Sequence, residues 1–110
     1  MKINILGTEY EIIRGSKATF KPLETRFSYT DPTVKRIVID FDKSTWEFEN
    51  KNEQEKRILR HEVLHAFLFE SGLDTESNFV NMWARNEEMI DWFAIQTPKI
   101  YEVYKQLDIL

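Results

Sequence analysis

The chain of 110 residues contains two histidines, and they lie four positions apart in the sequence His61-Glu62-Val63-Leu64-His65. On a helix, residues at this spacing share one face about 40° apart, so both imidazoles can reach one metal ion. Glu62 points toward the same quadrant, where its carboxylate can act on a metal-bound water without being a ligand. The H-E-x-x-H pattern therefore predicts a zinc site with an adjoining general base.

The residues that follow the first histidine are largely apolar, which predicts a buried helix. They are Val63, Leu64, Ala66, Phe67, Leu68 and Phe69. Two imidazoles and a carboxylate on a buried helix need polar partners, and a metal ion satisfies all three. The alternative is a pair of core histidines that are hydrogen-bonded to carboxylates, with Glu62 on the surface.

A zinc site of this kind needs a third protein ligand, and a chain with no cysteine and no third histidine must use a carboxylate. We predict a second helix over Phe79–Gln96, capped by Ser77. Steps of 100° per residue place Glu87 on its apolar face and Glu88 nearly opposite. A carboxylate on a buried face must be paired or bind a metal, so Glu87 is the predicted third ligand.

Asp91 lies four residues after Glu87, at the edge of the same face. We expect its carboxylate to accept a hydrogen bond from the free ring N–H of a ligand histidine and so to orient the imidazole. The alternative for Glu87 is a buried salt bridge to Arg60 or Arg85.

The sequence His61-Glu62-x-x-His65 followed by Glu87-x-x-x-Asp91 resembles the gluzincin branch of the zincin metallopeptidases. The segment Asp91-Trp92-Phe93-Ala94 with the later Pro98 is similar to the (N/D)xFA…P pattern of ImmA/IrrE-type metallopeptidases, which are common in phages and mobile elements. The motifs cover residues 57–98, and the small size resembles phage-encoded or minimal gluzincin domains.

This resemblance implies a zinc-dependent endopeptidase. In it His61, His65 and Glu87 would hold Zn²⁺, Glu62 would be the general base, and Asp91 would support a ligand histidine. The substrate implied is a dedicated cytoplasmic protein, such as a repressor of a mobile element. Larger gluzincins carry a further histidine or tyrosine that steadies the oxyanion, and four residues are candidates for that role here. They are Tyr29, Tyr101, Tyr104 and Arg85.

The elements that must position these residues form two halves, strands before about residue 50 and helices after it. The predicted strands are Lys2–Leu6, Glu9–Arg14 after a turn at Gly7-Thr8, Thr25–Tyr29, and Val34–Asp40 after a turn at Thr30-Asp31-Pro32-Thr33. The contiguous apolar run in Val34–Asp40 predicts a strand that is covered on both faces. Thr25–Tyr29 is the predicted edge strand beside the cleft, where it could pair with an extended substrate.

The motif-bearing helix should begin after the cap residue Asn50, since Glu53 completes a capping-box pattern, and end near Ser71 before Gly72. Pro98 should end the second helix and open a third helix to Leu107. The result is a single α+β domain over residues 1–110. A small, mostly antiparallel twisted sheet packs on the H-E-x-x-H helix, with the glutamate helix behind, as in a zincin-like fold.

Composition narrows the function. Fifteen basic against nineteen acidic residues give a net charge of −4, which disfavours nucleic acid as a partner. There is no apolar run of membrane-spanning length and no signal-peptide pattern, so we expect a cytoplasmic protein. The oligomeric state stays open. The alternatives to a peptidase are a non-catalytic binding or regulatory module with a structural metal, and a metal-free interaction protein.

Overall fold

The computed structural model describes residues 1–76 and 83–110. The described strands and α-helices are β1 (Lys2–Ile5), β2 (Thr8–Gly15), β3 (Ser28–Asp31), β4 (Arg36–Asp40), α1 (Lys51–Glu70), α2 (Leu73–Glu76) and α3 (Glu87–Gln106). Two short 3₁₀ helices cover Lys21–Glu24 and Trp83–Arg85. The described residues thus form an α+β fold with one sheet and two long helices, which confirms the predicted class.

The sheet is mixed, with the strand order β1-β2-β4-β3. The outer pairs β1–β2 and β3–β4 are antiparallel, whereas β2 and β4 run parallel at the centre, with Ile12 opposite Ile37. The central parallel pair was not predicted. It arises because the chain leaves β2, passes through the 3₁₀ helix and the edge strand β3, and returns to the middle of the sheet. The predicted strand Thr25–Tyr29 corresponds to β3, and its predicted edge position is confirmed.

The two hairpin turns are each displaced from their predicted positions. The first is formed by Leu6 and Gly7, with φ of 50° and 91°, rather than by Gly7-Thr8. Two successive positive φ values match the twist of a two-residue hairpin. In the second, Thr30 and Asp31 belong to β3, and the turn follows at residues 32–35, where Lys35 has a φ of 56°.

The predicted strand Thr25–Tyr29 begins three residues late, at Ser28. Lys21–Glu24 fold into a 3₁₀ helix with Pro22 in its first turn, and the N–H of Thr25 bonds the carbonyl of Pro22. Proline fixes φ near −65°, which suits the start of a helix and not a strand. The 3₁₀ helix therefore takes Thr25 out of the sheet.

Strand β4 is covered on both faces, as predicted, since Ile37, Val38 and Ile39 are all fully buried. The core of the sheet joins apolar residues from three strands to Trp46 and to Ala66 of α1. Helix α1 packs against the sheet strands β1, β3 and β4 and against α3.

Both predicted limits of α1 are confirmed. The side chain of Asn50 accepts a hydrogen bond from the N–H of Glu53 at 3.1 Å, and Gly72 follows the helix with a φ of 85°. The prediction of a buried helix is wrong for most of its length, since only Gln54, Glu62 and Ala66 of its residues are buried.

Helix α3 begins at Glu87, because Asn86 caps it by accepting the N–H of Met89 at 2.9 Å. The predicted start at Phe79 and the predicted cap Ser77 lie outside the described residues. Trp83–Arg85 form a separate 3₁₀ turn, so a continuous helix over 83–96 is wrong.

Pro98 does not end the second helix, which continues through it to Gln106. A proline inside a helix leaves the carbonyl four residues before it without its N–H partner. Here that carbonyl belongs to Ala94, and the Arg60 side chain of α1 donates to it from Nε at 2.5 Å. The replacement bond keeps α3 helical and ties it to α1. Among the described helices, none has both the length and the apolar character needed to cross a bilayer.

Candidate metal centre

The two histidines lie one turn apart on the side of α1 that meets the first turn of α3. Their Nε2 atoms are 3.1 Å apart, and the rings meet edge to face with centroids 4.8 Å apart. The side chains are half-buried, with 18% of His61 and 24% of His65 exposed. The Nε2 atoms of the two rings thus converge, as a spacing of four residues on a helix predicts.

The first turn of α3 brings both predicted carboxylates to these rings. The two carboxylate oxygens of Glu87 divide between them, with Oε2 3.0 Å from His61 Nε2 and Oε1 3.1 Å from His65 Nε2. Asp91 Oδ1 lies 2.7 Å from His61 Nδ1. We refer to His61, His65, Glu87 and Asp91 as the histidine cluster.

Glu87 reaches the histidines by a route that the sequence did not predict. It is the first residue of α3 and its side chain is 64% exposed, so its predicted position on a buried face is wrong. The error follows from the helix start, since a helix that begins at Glu87 has no preceding turns to define that face. Glu88 is exposed, as predicted.

The alternative salt bridge from Glu87 to an arginine is absent from the described residues. Arg60 donates to the carbonyl of Ala94, and Arg85 pairs with Asp74 at 3.1 Å. The partners of Glu87 in that part of the chain are the two imidazoles.

Glu62, which follows His61 on α1, is buried, with 5% of its surface exposed. Ser28 donates from Oγ to Oε2 at 2.6 Å, and Thr30 donates from Oγ1 to Oε1 at 2.9 Å. The Thr30 hydroxyl is also 3.0 Å from the backbone carbonyl of Glu62, so its one hydrogen is shared between two acceptors.

Sequence reasoning missed Ser28 and Thr30. A signal existed, because two hydroxyl residues two positions apart lie on the same face of a strand. While the strand was placed at Thr25–Tyr29, the sequence did not indicate that the face carrying Ser28 and Thr30 contacts the H-E-x-x-H helix.

The histidine cluster fits a zinc ion by its chemistry and by its dimensions. Since His61 Nδ1 meets the acceptor Asp91, the ring donates there and its Nε2 presents a lone pair toward Glu87. Two imidazole nitrogens and a carboxylate oxygen are zinc donors, and bonds of about 2.0–2.1 Å at tetrahedral angles place such atoms about 3.3 Å apart. The measured separations of 3.0–3.1 Å are close to that value.

The Glu62 carboxylate lies next to the ring nitrogens of His61 and His65. One ligand atom from each of His61, Glu62 and His65 can be chosen so that all lie within 4.8 Å of one another. That limit is longer than the 3.0–3.1 Å separations between the histidines and Glu87. At this distance the carboxylate of Glu62 could bind a metal directly or act on a water that the metal would hold. The alternative to a metal is a second proton on His61. The charged ring would then donate one hydrogen bond to Glu87 and one to Asp91.

The cluster opens into a groove of about 630 Å³ between α1, β3 and the start of α3. Of the four candidates for steadying an oxyanion, Tyr29 lines this groove. Its burial raises the pKa of its hydroxyl. Tyr101 and Tyr104 are exposed on the far half of α3, and Arg85 is paired with Asp74.

No family model matches the sequence, and no curated protein or solved structure matches the chain. The resemblance to gluzincins therefore stays a prediction that depends on the motif and its spacing.

Proposed function

We propose that the protein is a zinc-dependent peptidase whose metal is held by His61, His65 and Glu87. The observation that carries the proposal is the convergence of zinc-type donors beside the carboxylate of Glu62. The Nε2 atoms of His61 and His65 are 3.1 Å apart, and each has its own Glu87 carboxylate oxygen at 3.0–3.1 Å. These donors come from two helices and 26 positions of sequence separate the outer pair, so helical periodicity alone does not account for their meeting.

Zinc bound there would activate a water and polarise a peptide carbonyl. Glu62 would then take the proton from the water at Oε1 and return it to the leaving amine. Because the Thr30 hydrogen can turn from Oε1 to the backbone carbonyl of Glu62, that oxygen can accept a proton without moving. Ser28 holds Oε2 in place, and Asp91 fixes the ring of His61.

The groove also supports a peptide as the substrate. Its wall includes β3, which pairs with β4 on one side only and is therefore an edge of the sheet. An extended peptide can add to such an edge through main-chain hydrogen bonds. A dedicated cytoplasmic protein, as implied by the resemblance to ImmA/IrrE-type enzymes, is the substrate that we propose.

A second candidate function is a non-catalytic module that keeps the metal for structure. The observation in its favour is that both carboxylate oxygens of Glu62 already accept a hydroxyl hydrogen bond and that the side chain is nearly buried. A carboxylate in that state has a structural role without any proton transfer.

Cleavage of a peptide mixture separates the two candidates. The zinc-loaded protein would be incubated with a tryptic digest of a bacterial proteome, and new termini would be identified by mass spectrometry. Glu62→Gln keeps the shape, and its NH₂ group can donate to the hydroxyl that no longer has an acceptor. The substitution removes the base, so we expect full zinc content and about 10²–10⁴-fold slower cleavage. Glu53→Gln is the matched control, because Glu53 is an exposed residue of the same helix.

The variant His65→Ala shows whether any cleavage comes from a contaminating protease. Zinc uptake without cleavage by the unchanged protein would leave the non-catalytic module. Cleavage that survives undiminished in Glu62→Gln would overturn the assignment of the base.

A further inference from the structure

One stripe of α1 forms the long wall of the groove. Arg57, His61, His65 and Phe69 recur every four residues, and all four line the groove. Since four residues rise about 6 Å along a helix, the arginine lies one turn before the histidines and the phenylalanine one turn after them. The groove therefore continues on both sides of the histidine cluster.

A second arginine, Arg26, lines the same groove. Its neighbour Phe27 packs on Trp46 with ring centroids 5.6 Å apart, and the Trp46 carbonyl accepts from Lys51 at the first turn of α1. Past the other end of the strand, in the turn that follows β3, Lys35 pairs with Glu70, the last residue of α1. Strand β3 thus runs along α1 in the same direction, which places Arg26 at the Arg57 end.

Both guanidinium groups are exposed and uncompensated. Neither forms an ion pair within the described residues, and Arg57 contacts the ring of Phe48 at 5.2 Å from its centroid. Two other arginines near the groove and the start of α1 do have carboxylate partners, Arg85 with Asp74 and Arg14 with Glu55. Four carboxylates also line the groove, but each has a partner elsewhere: three belong to or adjoin the histidine cluster, and Asp74 pairs with Arg85. The Arg26–Arg57 end is therefore a local basic site in a protein with a net charge of −4.

We propose that the Arg26–Arg57 end of the groove binds a carboxylate of the peptide ligand, either an acidic side chain or the chain terminus. Guanidinium groups recognise carboxylates through paired N–H donors. One helical turn corresponds to about two residues of an extended peptide, so the acidic group lies one or two positions from the residue at the histidine cluster. The inference rests on the proposed function for its peptide ligand and adds the class of peptide.

Binding, rather than cleavage, provides the test. Fluorescein-labelled decapeptides that differ only in a central Glu, Gln or Lys would be titrated by fluorescence anisotropy against zinc-loaded Glu62→Gln protein at low ionic strength. We expect the Glu peptide to bind about tenfold more tightly than the Gln peptide, and added salt to reduce the difference. Versions with a free or an amidated C-terminus identify whether the carboxylate is a side chain or the chain end.

Substitutions then assign the preference to the two arginines. Arg26→Gln with Arg57→Gln should bring the Glu and Gln peptides within twofold of each other. Lys56→Gln, which removes one positive charge from an exposed neighbour outside the groove, should leave the preference unchanged. Arg57→Glu should shift the preference toward the Lys peptide, and this gain cannot come from misfolding.

Equal binding of all the peptides, or no binding of any of them, would overturn the inference. So would tighter binding of the oligonucleotide (dT)₁₀ than of the Glu peptide, which would indicate a phosphodiester ligand. The same titration without zinc separates this inference from the proposed function. A carboxylate preference in a protein that takes up no zinc leaves the groove assignment standing and ends the peptidase proposal, whereas cleavage without any preference does the reverse.

Discussion

Helix α1 carries two polar clusters whose charge balance differs. At its last residue, the Glu70 cluster joins a carboxylate to Lys35 Nζ at 2.6 Å, to the Tyr10 hydroxyl at 2.7 Å and to the Thr8 hydroxyl at 3.1 Å. Two turns earlier, the histidine cluster joins two imidazoles to two carboxylates. In the described residues, neither lysine nor arginine pairs with its carboxylates.

The difference separates a cluster whose charges are paired within the protein from the cluster that we propose to hold zinc. In the Glu70 cluster every partner is a donor, and the Lys35 hydrogen bond, followed by that of Tyr10, lowers the pKa of Glu70. Burial, followed by the bond to Glu70, raises the pKa of Tyr10. In the histidine cluster, His61 donates from Nδ1 to Asp91, but the two Nε2 atoms and the Glu87 oxygens are acceptors that face one another. A cation or added protons among these atoms would remove their repulsion.

The largest effect expected from this comparison is stabilisation by zinc. A ligand that binds only the folded state stabilises it by about 4 kcal/mol at 1,000 times its Kd. We expect zinc to raise the free energy of unfolding by about this amount in urea titrations, and His65→Ala to abolish the increase. Glu70→Gln should retain it. An equal response of His65→Ala and the unchanged protein would place the zinc elsewhere.

Removal of the Glu70 carboxylate should lower the free energy of unfolding by somewhat less than zinc raises it. Glu70→Ala leaves Lys35 unpaired and the hydroxyl of the fully buried Tyr10 without its acceptor, so we expect about 2–3 kcal/mol of destabilisation. Zinc uptake should not change. Glu9→Ala is the control, since its exposed ion pair with Lys2 is worth less than about 1 kcal/mol. A loss no larger than that of the control would show that the cluster is not structural.

Asp91→Asn should act on the histidine cluster indirectly. The substitution removes the charge that holds His61 by its Nδ1, and the loss of such a partner weakens zinc binding about 10–100-fold. Competition with a chelating dye would measure the affinity, with the exposed Glu88→Gln as the control. Unchanged affinity would mean that Asp91 does not orient the ligand.

The smallest effect concerns pH. The pKa of Glu70 is lower in the folded state than its usual value of 4.5, so the carboxylate stabilises the fold above that value. This contribution is lost as the pH falls through the lowered, folded-state pKa. The stability advantage of the unchanged protein over Glu70→Gln should therefore narrow in urea titrations below pH 4.5. A constant difference down to pH 3 would contradict the assignment.

Features set by local signals were predictable from the sequence. The limits of α1 follow from Asn50 and Gly72, because a cap and a left-handed residue act within one turn. The burial of strand β4 follows from a contiguous apolar run, although the predicted strand Val34–Asp40 started two residues too early, within the turn. The convergence of His61 and His65 follows from their spacing alone, which is why the centre of the site could be located before any fold was known.

Features set by distant contacts were not predictable. Pro98 indicates a helix end, and only the side chain of Arg60, 38 positions away, removes that signal. Ser28 and Thr30 meet Glu62 only because β3 lies along α1. The prediction that Glu87 meets the histidines is right, but the reason given for it is wrong. That reason was burial on the apolar face of a helix that starts at Phe79, whereas α3 starts at Glu87 itself.

Zinc content tests the central claim, that the histidine cluster is a metal site, most directly. The protein would be purified without affinity metal or chelator, given one equivalent of zinc, dialysed, and analysed by mass spectrometry for metals beside His65→Ala, Glu87→Ala and Glu70→Gln. We predict about one zinc per chain in the unchanged protein and in Glu70→Gln, and almost none in the other two variants. No zinc in the unchanged protein, or full zinc in Glu87→Ala, would contradict the account.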